Sequence, residues 1–583
     1  MRRGISMQLY AAQALRVGYE RLCAWSEVLD QINVFPVADG DTGRNLVISL
    51  APLRRTDKTD QQKLLEQLLF AARGNSGNIA VQFMAELLQA RSWSRLAEAA
   101  EAGAARAEKA IQNPRPGTML TVLNSFTQAL QAHSSNQDLQ SAVEAVLDRI
   151  QSAVHKTPEL LPELSQADVV DAGALGMFLF LEGYLKSFYS LKQDFRLPGD
   201  IFGPRLKIAD LPAAAQAESF CVDLVLRLNP ESRSLISQLV QENHSALVYT
   251  FQDYAKVHLH TQDAGSLRQK ARDLGSIIQW SQDDLQQQLK DFQAQQDSGP
   301  VHIVTDAAGS LSRELARRLG ISLLESYISL GQSCVPETCL APEQLYQAMR
   351  EGQQASTSQA SVFEREQYYA RLLEQYSSLL YLCVGSVYTG NYQVARQWKE
   401  HNDPWNRFAV LDTGAASGRL AVAAIASARF ASQASNQQQV LEFAPQAVEA
   451  SREYIFLNEL KYLAAGGRMS KTGAFFGDML HMKPVITPTA QGAEKAGLVR
   501  NSQAQISFAL HRLQKSLQSD TRALILLQYS DNSNWVQKRP MQEIKRLFPN
   551  AEIILQPLSL TSGVHIGPGA WAVAWCEMEP EES

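Results

Sequence analysis

Residues 33–45 read Asn33-Val34-Phe35-Pro36-Val37-Ala38-Asp39-Gly40-Asp41-Thr42-Gly43-Arg44-Asn45. Two carboxylates flank a glycine in a turn that starts after a proline. Oxygen ligands packed that closely suit a hard cation such as Mg²⁺. Thr42, Gly43 and Asn45 then open a predicted helix, whose free N–H groups favour a phosphate. The same residues also spell a plain Asx turn and helix cap, and on these residues alone both readings stay open. The stretch is not a P-loop, because G-x-x-x-x-G-K-[ST] does not occur in this region.

Working outward, residues 1 to about 200 read as mostly helical. Apolar residues recur at helical spacing in Leu64–Phe70, Val81–Leu88 and Leu139–Val154, and β-branched alternation is scarce. Gly- or Pro-bearing turns are expected at Phe35–Asn45, Arg73–Asn78, Pro114–Thr118 and Asp171–Gly176. An all-helical domain whose turns carry the polar residues follows, and those turns are where function would sit. Residues 219–285 change character. Phe220–Leu228, Ser245–Tyr249 and Lys256–His260 alternate like strands, with helical stretches at Ser232–Glu242 and Ser266–Leu274. This predicts a small α/β module with a few antiparallel strands. A glutamine-rich helix, Leu285–Gln296, leads into a linker at Asp297-Ser298-Gly299-Pro300. Beyond it, strand-like runs at 302–306, Ser378–Val384, Phe408–Leu411 and Ala523–Gln528 alternate with helical ones at Glu364–Tyr376 and Arg419–Ser432. That pattern predicts a second α/β region.

The 583 residues are long enough for three or four domains, at roughly 100–200 residues each. With 45% hydrophobic and 20% charged residues, the chain is ordinary for a globular protein, neither disordered nor collagen-like. A formal net charge of −6 gives no basic footprint, so no nucleic acid partner is expected. The N-terminal MRRGISMQLYAAQAL has no apolar core before a cleavage site, and the apolar run Leu420–Ala428 is too short to span a bilayer. Six sparse cysteines fit a reducing compartment, so a cytoplasmic location is expected, with no transmembrane segment and transient membrane-surface contact left open.

Four segments in register from Asn33 to Gly176 carry a family resemblance. NVFPVADGDTGRN resembles the metal-binding turn of the dihydroxyacetone-kinase nucleotide-binding domain, in its fatty acid kinase form. Arg73-Gly-Asn-Ser76-Gly77-Asn resembles that family's Gly-Ser phosphate turn, Pro116-Gly117-Thr118 its Gly-Thr turn, and Asp171-Ala-Gly173-Ala-Leu-Gly176 its nucleotide-lid segment. The resemblance implies an antiparallel eight-helix barrel over residues 1–200 that binds ATP and two Mg²⁺ ions. It implies that Asp39 and Asp41 are the catalytic, Mg²⁺-binding carboxylates, with Asn33 where related dihydroxyacetone kinases have a third aspartate. By the same resemblance Thr42, Gly43, Asn45, Ser76, Gly77, Thr118, Asp171 and Gly173 bind ATP. Ala38 and Ala174-Leu175 depart from the usual pattern without removing a metal ligand.

In the middle module (215–285), Lys256-Val-His258-Leu-His260 alternates, so both imidazoles share one strand face. A cysteine on a neighbouring strand completes a set suited to Zn²⁺. Two surface histidines and a buried cysteine are the alternative. Cys221 and the KVHLHT strand resemble the middle domain of fatty acid kinase, where the matching residues bind metal. The resemblance thus implies Zn²⁺ at Cys221, His258 and His260.

Residues 299–578 hold separate pieces that each also read as an ordinary turn, cap or polar loop: Thr305-Asp306, Ser356-Thr357-Ser358-Gln359, Ser386-Val-Tyr-Thr389-Gly390, Gly466-Gly467-Arg468 and His565-Ile-Gly567-Pro568-Gly569. In this order they resemble the DegV family of fatty-acid-binding proteins. That implies a two-lobed α/β fold with a buried acyl chain, its carboxylate held by Thr357, Ser386, Arg468 and His565. A pocket with polar groups at its mouth and an apolar tunnel beyond is coherent for a fatty acid.

Together the resemblances imply a fatty acid kinase fused to its lipid carrier, with ATP and long-chain fatty acid giving an acyl phosphate for a downstream acyltransferase in phospholipid synthesis. The alternatives are a small-polyol kinase of the dihydroxyacetone type and a non-enzymatic carrier with a regulatory kinase-like domain. A four-residue linker reaches at most ~14 Å. A homodimer, in which the lipid half of one chain serves the ATP site of the other, is therefore expected.

Overall fold

A computed structural model of the chain describes residues 2–58, 60–90, 92–111, 113–134, 138–189, 195–208, 220–232, 236, 244–286, 299–465, 482–520 and 522–577. It divides into two compact units, Met1–Gln293 and Ala294–Ser583.

The first unit begins with helices α1 (Arg2–Gln31), α2 (Thr42–Leu50), α3 (Gln61–Ala71), α4 (Gly74–Leu87), α5 (Trp93–Lys109), α6 (Met119–Ala132), α7 (Leu139–His155) and α8 (Ala172–Phe188). α5 shows the rule most of them follow. Its buried residues Trp93, Leu96, Ala97, Ala100, Gly103, Ala104 and Ala107 recur three and four apart, forming one apolar stripe. α8 differs: its sequence AGALGMFLFLEGYLKSF is buried on nearly every side, which marks a central helix. α1 packs on α2 and α8, α2 on α4, α4 on α5, α5 on α6, and α6 on α7 and α8. Small residues allow the closest of these approaches. A Cβ on Gly183 would lie 2.8 Å from the Cα of Gly18, so α1 and α8 meet backbone to backbone. Beside that crossing, buried Arg21 and Glu182 pair at 2.5 Å.

Two of the expected turns are helix starts. Arg73–Asn78 opens α4 and Asp171–Gly176 opens α8. Glycine at these places does not break the helix; it permits close packing at its first turn. A Cβ on Gly77 would meet the Ser49 hydroxyl at 2.0 Å.

The same unit continues into a four-stranded sheet of order β2-β3-β1-β4, with β1 Phe220–Leu228, β2 His244–Phe251, β3 Tyr254–Thr261 and β4 Gly275–Asp284. All its pairings are antiparallel. Helix α9 (Ala264–Leu274) covers one face through Leu267, Ala271 and Leu274. The β1–β3 register sets Cys221 opposite His260 and Asp223 opposite His258. β4 is an element the sequence reading did not include. The expected helix at Ser232–Glu242, the glutamine-rich helix at Leu285–Gln296 and the first half of the linker fall almost wholly outside the described residues.

In the second unit β5 (His302–Asp306), β6 (Ile321–Leu324), β10 (Leu379–Cys383) and β11 (Phe408–Asp412) form a parallel sheet of order β11-β10-β5-β6. β7 (Ser326–Leu330), β8 (Ser333–Pro336) and β9 (Ala355–Gln359) make a small antiparallel sheet of order β8-β7-β9. A six-stranded sheet follows, of order β14-β13-β12-β17-β15-β16. Its strands are β12 (Arg452–Phe456), β13 (Lys483–Thr489), β14 (Gly492–Val499), β15 (Ala523–Tyr529), β16 (Glu552–Pro557) and β17 (Trp571–Glu577). Helix α10 (Ser417–Gln433), rich in alanine, packs against β5 on one side and β15 and β17 on the other. Its small side chains let one apolar core run from Ile303 and Leu382 of one sheet to Leu524 and Ala574 of the other. The chain is thus multidomain, a helical N-terminal region followed by α/β regions.

Candidate active site

A cleft in the first unit is lined by Asn33, Pro36, Asp39, Asp41, Thr42, Asn45, Gly74, Asn75, Ser76, Cys221, His258 and His260. The turn after α1, the starts of α2 and α4, and the sheet of the middle module all contribute.

The acidic turn is built from its own side chains. Asn33 donates its amide to Asp39 Oδ1 at 2.5 Å and accepts from the Thr42 hydroxyl at 2.8 Å. Thr42 also lies 3.5 Å from the Ser76 hydroxyl, which joins the α2 start to the α4 start. Gly43 is required where α2 crosses α1, since a Cβ there would lie 2.0 Å from the Ser26 carbonyl oxygen. Burial pushes the Asp39 carboxyl up to about 6, and burial together with the charges of Asp39, Asp30 and Asp283 pushes Asp41 well above the usual carboxylate range. The charge of Asp39 thus disfavours a second charge on Asp41, and a bound divalent ion reverses that balance.

Across the cleft, Cys221, His258 and His260 are buried, with one ligand atom from each within 4.8 Å of the others. Cys221 Sγ lies 3.9 Å from His258 Nδ1, which in turn lies 3.2 Å from Asp223 Oδ2. His258 Nε2 is buried with no hydrogen-bond partner among the described residues. A thiol and two imidazoles with ligand atoms this close, one ring keeping a nitrogen without a partner, are the donor set of a zinc site with a fourth position open, so these residues fit a zinc ion.

Asp223 is the residue sequence reading missed. It accepts from Gly74 N at 2.9 Å and Asn78 Nδ2 at 3.3 Å, and pairs with buried Lys256 at 3.4 Å. The available signal was the alternation itself: Cys-x-Asp on β1 opposite Lys-x-His-x-His on β3 puts five polar side chains on one face.

Thr118, Asp171, Gly43, Gly77 and Gly173 are not among the cleft-lining residues. Thr118 is the N-cap position of α6, with its hydroxyl on the Arg115 carbonyl at 2.8 Å. Asp171 caps α8, accepting from Ala174 N at 2.7 Å, while its own N–H donates to Thr157 at 3.0 Å. Burial raises the Asp171 carboxyl to about 7, against the opposing pull of backbone donors at Ala174, Met119 and Gly173.

In the second unit, Thr357 sits half-buried on β9, Ser386 exposed in the turn after β10, and His565 half-buried in α11 (Leu560–Ile566), a helix that packs on β7 and β9. Arg468 lies outside the described residues. The Thr305-Asp306 pair is a clamp. Asp306 accepts from Tyr381 OH, Val384 N and Asn391 Nδ2, each at 2.6 Å, which fixes the turn carrying Ser386. Arg365 extends the clamp, donating to Asn391 Oδ1 at 2.7 Å and Gln359 Oε1 at 3.4 Å, and so ties that turn to β9.

Among the described residues, no helix is long and apolar enough to cross a membrane.

Protein-family models match three successive stretches. Residues 36–186 match the DAK2 domain, 217–292 the FakA-like middle domain of fatty acid kinase, and 300–578 the uncharacterised protein, DegV family. Protein YloV of Bacillus subtilis (strain 168) is 28% identical over 373 residues, covering 56% of this chain and 65% of that protein. Uncharacterized protein SSP1546 of Staphylococcus saprophyticus is 25% identical over 362 residues, covering 56% and 64%. The chain thus spans less than two thirds of the length of these relatives. A fatty-acid-binding DegV family protein from Thermus thermophilus aligns with TM-score 0.45 and 23% identity, covering 48% of this chain and 100% of that one. The chain therefore carries, in order, a DAK2 domain, a FakA-like middle domain and a DegV family domain.

Proposed function

We propose that this protein is a fatty acid kinase that carries its own lipid-presenting domain. The observation that carries the reading is the convergence of Asp39, Asp41, Thr42 and Ser76 on one cleft, in a chain that also holds a DegV domain. In this reading residues 1–200 are the ATP domain, an eight-helix barrel; 215–285 are the middle domain; 299–578 hold the fatty acid.

Asp39 and Asp41, with Asn33 beside them, would hold Mg²⁺, which when bound neutralises charge on the transferring phosphoryl group. Thr42, Gly43 and Asn45 at the α2 start, and Ser76 and Gly77 at the α4 start, would cradle the phosphates. Thr118, Asp171 and Gly173 would serve the nucleotide further from the cleft. Cys221, His258 and His260 would hold Zn²⁺. Thr357, Ser386, Arg468 and His565 would hold the acyl carboxylate. That carboxylate is already ionised near neutral pH, so attack on the γ-phosphorus needs positioning rather than a general base. The product acyl phosphate would pass to an acyltransferase of lipid synthesis, in the cytoplasm, and transfer between the two chains of a homodimer is part of the proposal.

The test is ADP release with and without added long-chain fatty acid, with hydroxylamine trapping of acyl phosphate. Fatty-acid-dependent ADP release with hydroxamate formation is expected. ADP release stimulated by dihydroxyacetone and not by fatty acid would replace this reading with that of a polyol kinase.

A further inference from the structure

Asp223 is 4% exposed and lies on β1, 149 residues from the α4 start it touches. Its Oδ2 accepts from Gly74 N at 2.9 Å and lies 3.2 Å from His258 Nδ1. Its Oδ1 accepts from Asn78 Nδ2 at 3.3 Å and lies 3.4 Å from Lys256 Nζ. One carboxylate therefore holds a ring of the Cys221–His258–His260 set and the first turn of the helix bearing Ser76. On the ring side, a proton on Nδ1 shared with Asp223 leaves the Nε2 lone pair, which has no partner among the described residues, for a metal. On the helix side, Gly74 is at φ +57°, and a Cβ there would meet Asn45 Nδ2 at 2.2 Å. The α4 start is thus pinned between Asn45 and Asp223, with Asn75 and Ser76, next along the turn, lining the cleft.

We propose that Asp223 is a positioning residue that couples metal binding at Cys221, His258 and His260 to nucleotide binding at the Gly74–Ser76 turn. This rests on the kinase reading above. Coupling through a shared strut is reciprocal: zinc tightens MgATP binding by the factor by which MgATP tightens zinc.

The test uses the full chain. MgATP affinity is measured by calorimetry in zinc-loaded and chelator-stripped protein, and Zn²⁺ affinity by competition with a chromophoric chelator. In the wild type, stripping zinc should weaken MgATP binding about 5- to 10-fold, within the usual range of coupling between sites. Asp223→Asn should weaken zinc by about 10- to 100-fold, the usual effect of losing an outer-shell partner, and bring the coupling factor near one. Asn78→Ala, which removes the helix-side amide that donates to Asp223 and, at 2.7 Å, to the Gly74 carbonyl, should lower the coupling and leave zinc affinity within about 2-fold. A merely structural role would weaken both ligands and leave the coupling factor unchanged. If Asp223→Asn does not fold, because Lys256 is left buried and unpaired, Asp223→Asn with Lys256→Met removes that charge and is measured instead. Equal MgATP affinity of loaded and stripped wild type overturns the inference and leaves the kinase reading standing. No MgATP binding by wild type in either state overturns both.

Discussion

Asp41 and Asp223 are carboxylates close to the same cleft, Asp41 half-buried and Asp223 buried, and desolvation pushes both upward, yet they end on opposite sides of the usual carboxylate range. For Asp41, burial and the charges of Asp39, Asp30 and Asp283 act together and hold the carboxyl well above the usual range. For Asp223, burial also pushes upward, but the charges of Lys256 and His258 and the hydrogen bonds from His258 and Gly74 outweigh it, and the carboxyl is held well below that range. Among the described residues, the chain brings its own cation to Asp223 and none to Asp41. A carboxylate with its own cation is part of the framework. A carboxylate without one is an incomplete ion site, and the missing charge has to come from outside the protein.

The contrast breaks most visibly at Asp41. Asp41→Ala should lower ATP-dependent acyl phosphate formation by at least about 100-fold while the chain stays folded, since a metal-held transition-state charge is worth several kcal/mol. Near-normal turnover at saturating Mg²⁺ would place the metal elsewhere. The next effect lies across the cleft. Cys221→Ala should reduce zinc in the purified protein from near one equivalent to about a tenth or less, because a three-residue set does not survive loss of its thiolate. Elemental analysis of the dialysed protein decides this, and unchanged zinc content would show that the thiol is only a buried apolar group. The third effect belongs to the second unit, where Asp306 is a framework carboxylate held by Tyr381, Val384 and Asn391. If His565 supplies a donor to the acyl carboxylate, His565→Ala should weaken fatty acid binding by about 10-fold, the worth of one charge-assisted hydrogen bond. Displacement of a fluorescent fatty acid measures it, and an unaltered affinity would remove His565 from the head-group set.

The residues of this cleft were legible as two separate sets, and their meeting was not. Asp39-Gly-Asp41 declares itself by spacing, and Lys256-x-His258-x-His260 by alternation. What joins them is the bond from Gly74 to Asp223, a contact at a sequence separation that no local pattern encodes. Asp223 itself was hidden because an aspartate inside an apolar strand, Phe-Cys-Val-Asp-Leu-Val-Leu, reads as a blemish until the register sets it opposite His258. β4 was hidden for a different reason. Its sequence GSIIQWSQDD buries little, with only Ile277 and Trp280 packed against the core, so an edge strand looked like a polar connection. Four strands of the second unit, β5, β10, β11 and β15, were legible, helped by buried parallel strands such as Leu379–Cys383 being nearly continuous apolar runs, while β6–β9, β12–β14, β16 and β17 were not marked. The turns expected at Arg73–Asn78 and Asp171–Gly176 do separate helices, at residues 72–73 and 168–171, but their glycines lie inside the following helix, because glycine signals both a turn and a close helix crossing, and only packing tells which.

Asp171 offers the finest test, because it stands between the two cases. It has backbone donors like a framework carboxylate but, in contrast to Asp223, no cation among the described residues, and burial still raises it to about 7. Hydrogen bonds from neutral N–H groups therefore do not replace a counter-charge at this depth. The raised carboxyl prefers its proton in the folded state, so its contribution to stability is present below about pH 4, the unfolded value, and is lost as pH rises towards 7. An asparagine in its place cannot ionise, yet the side-chain oxygen still caps α8, so Asp171→Asn removes the titration and keeps the cap. The wild-type melting temperature minus that of the variant should therefore fall between pH 5 and pH 7 and level off above it. The total change should be several degrees, at about 2–4 °C per kcal/mol for a domain of this size. Taking the difference between two proteins cancels the other buried carboxyls, such as Glu453, that titrate in the same range. A gap that stays constant from pH 5 to pH 8 would mean that the backbone donors at Ala174, Met119 and Gly173 suffice to hold Asp171 ionised, and the distinction drawn between Asp41 and Asp223 would then rest on mutual repulsion among carboxylates rather than on burial.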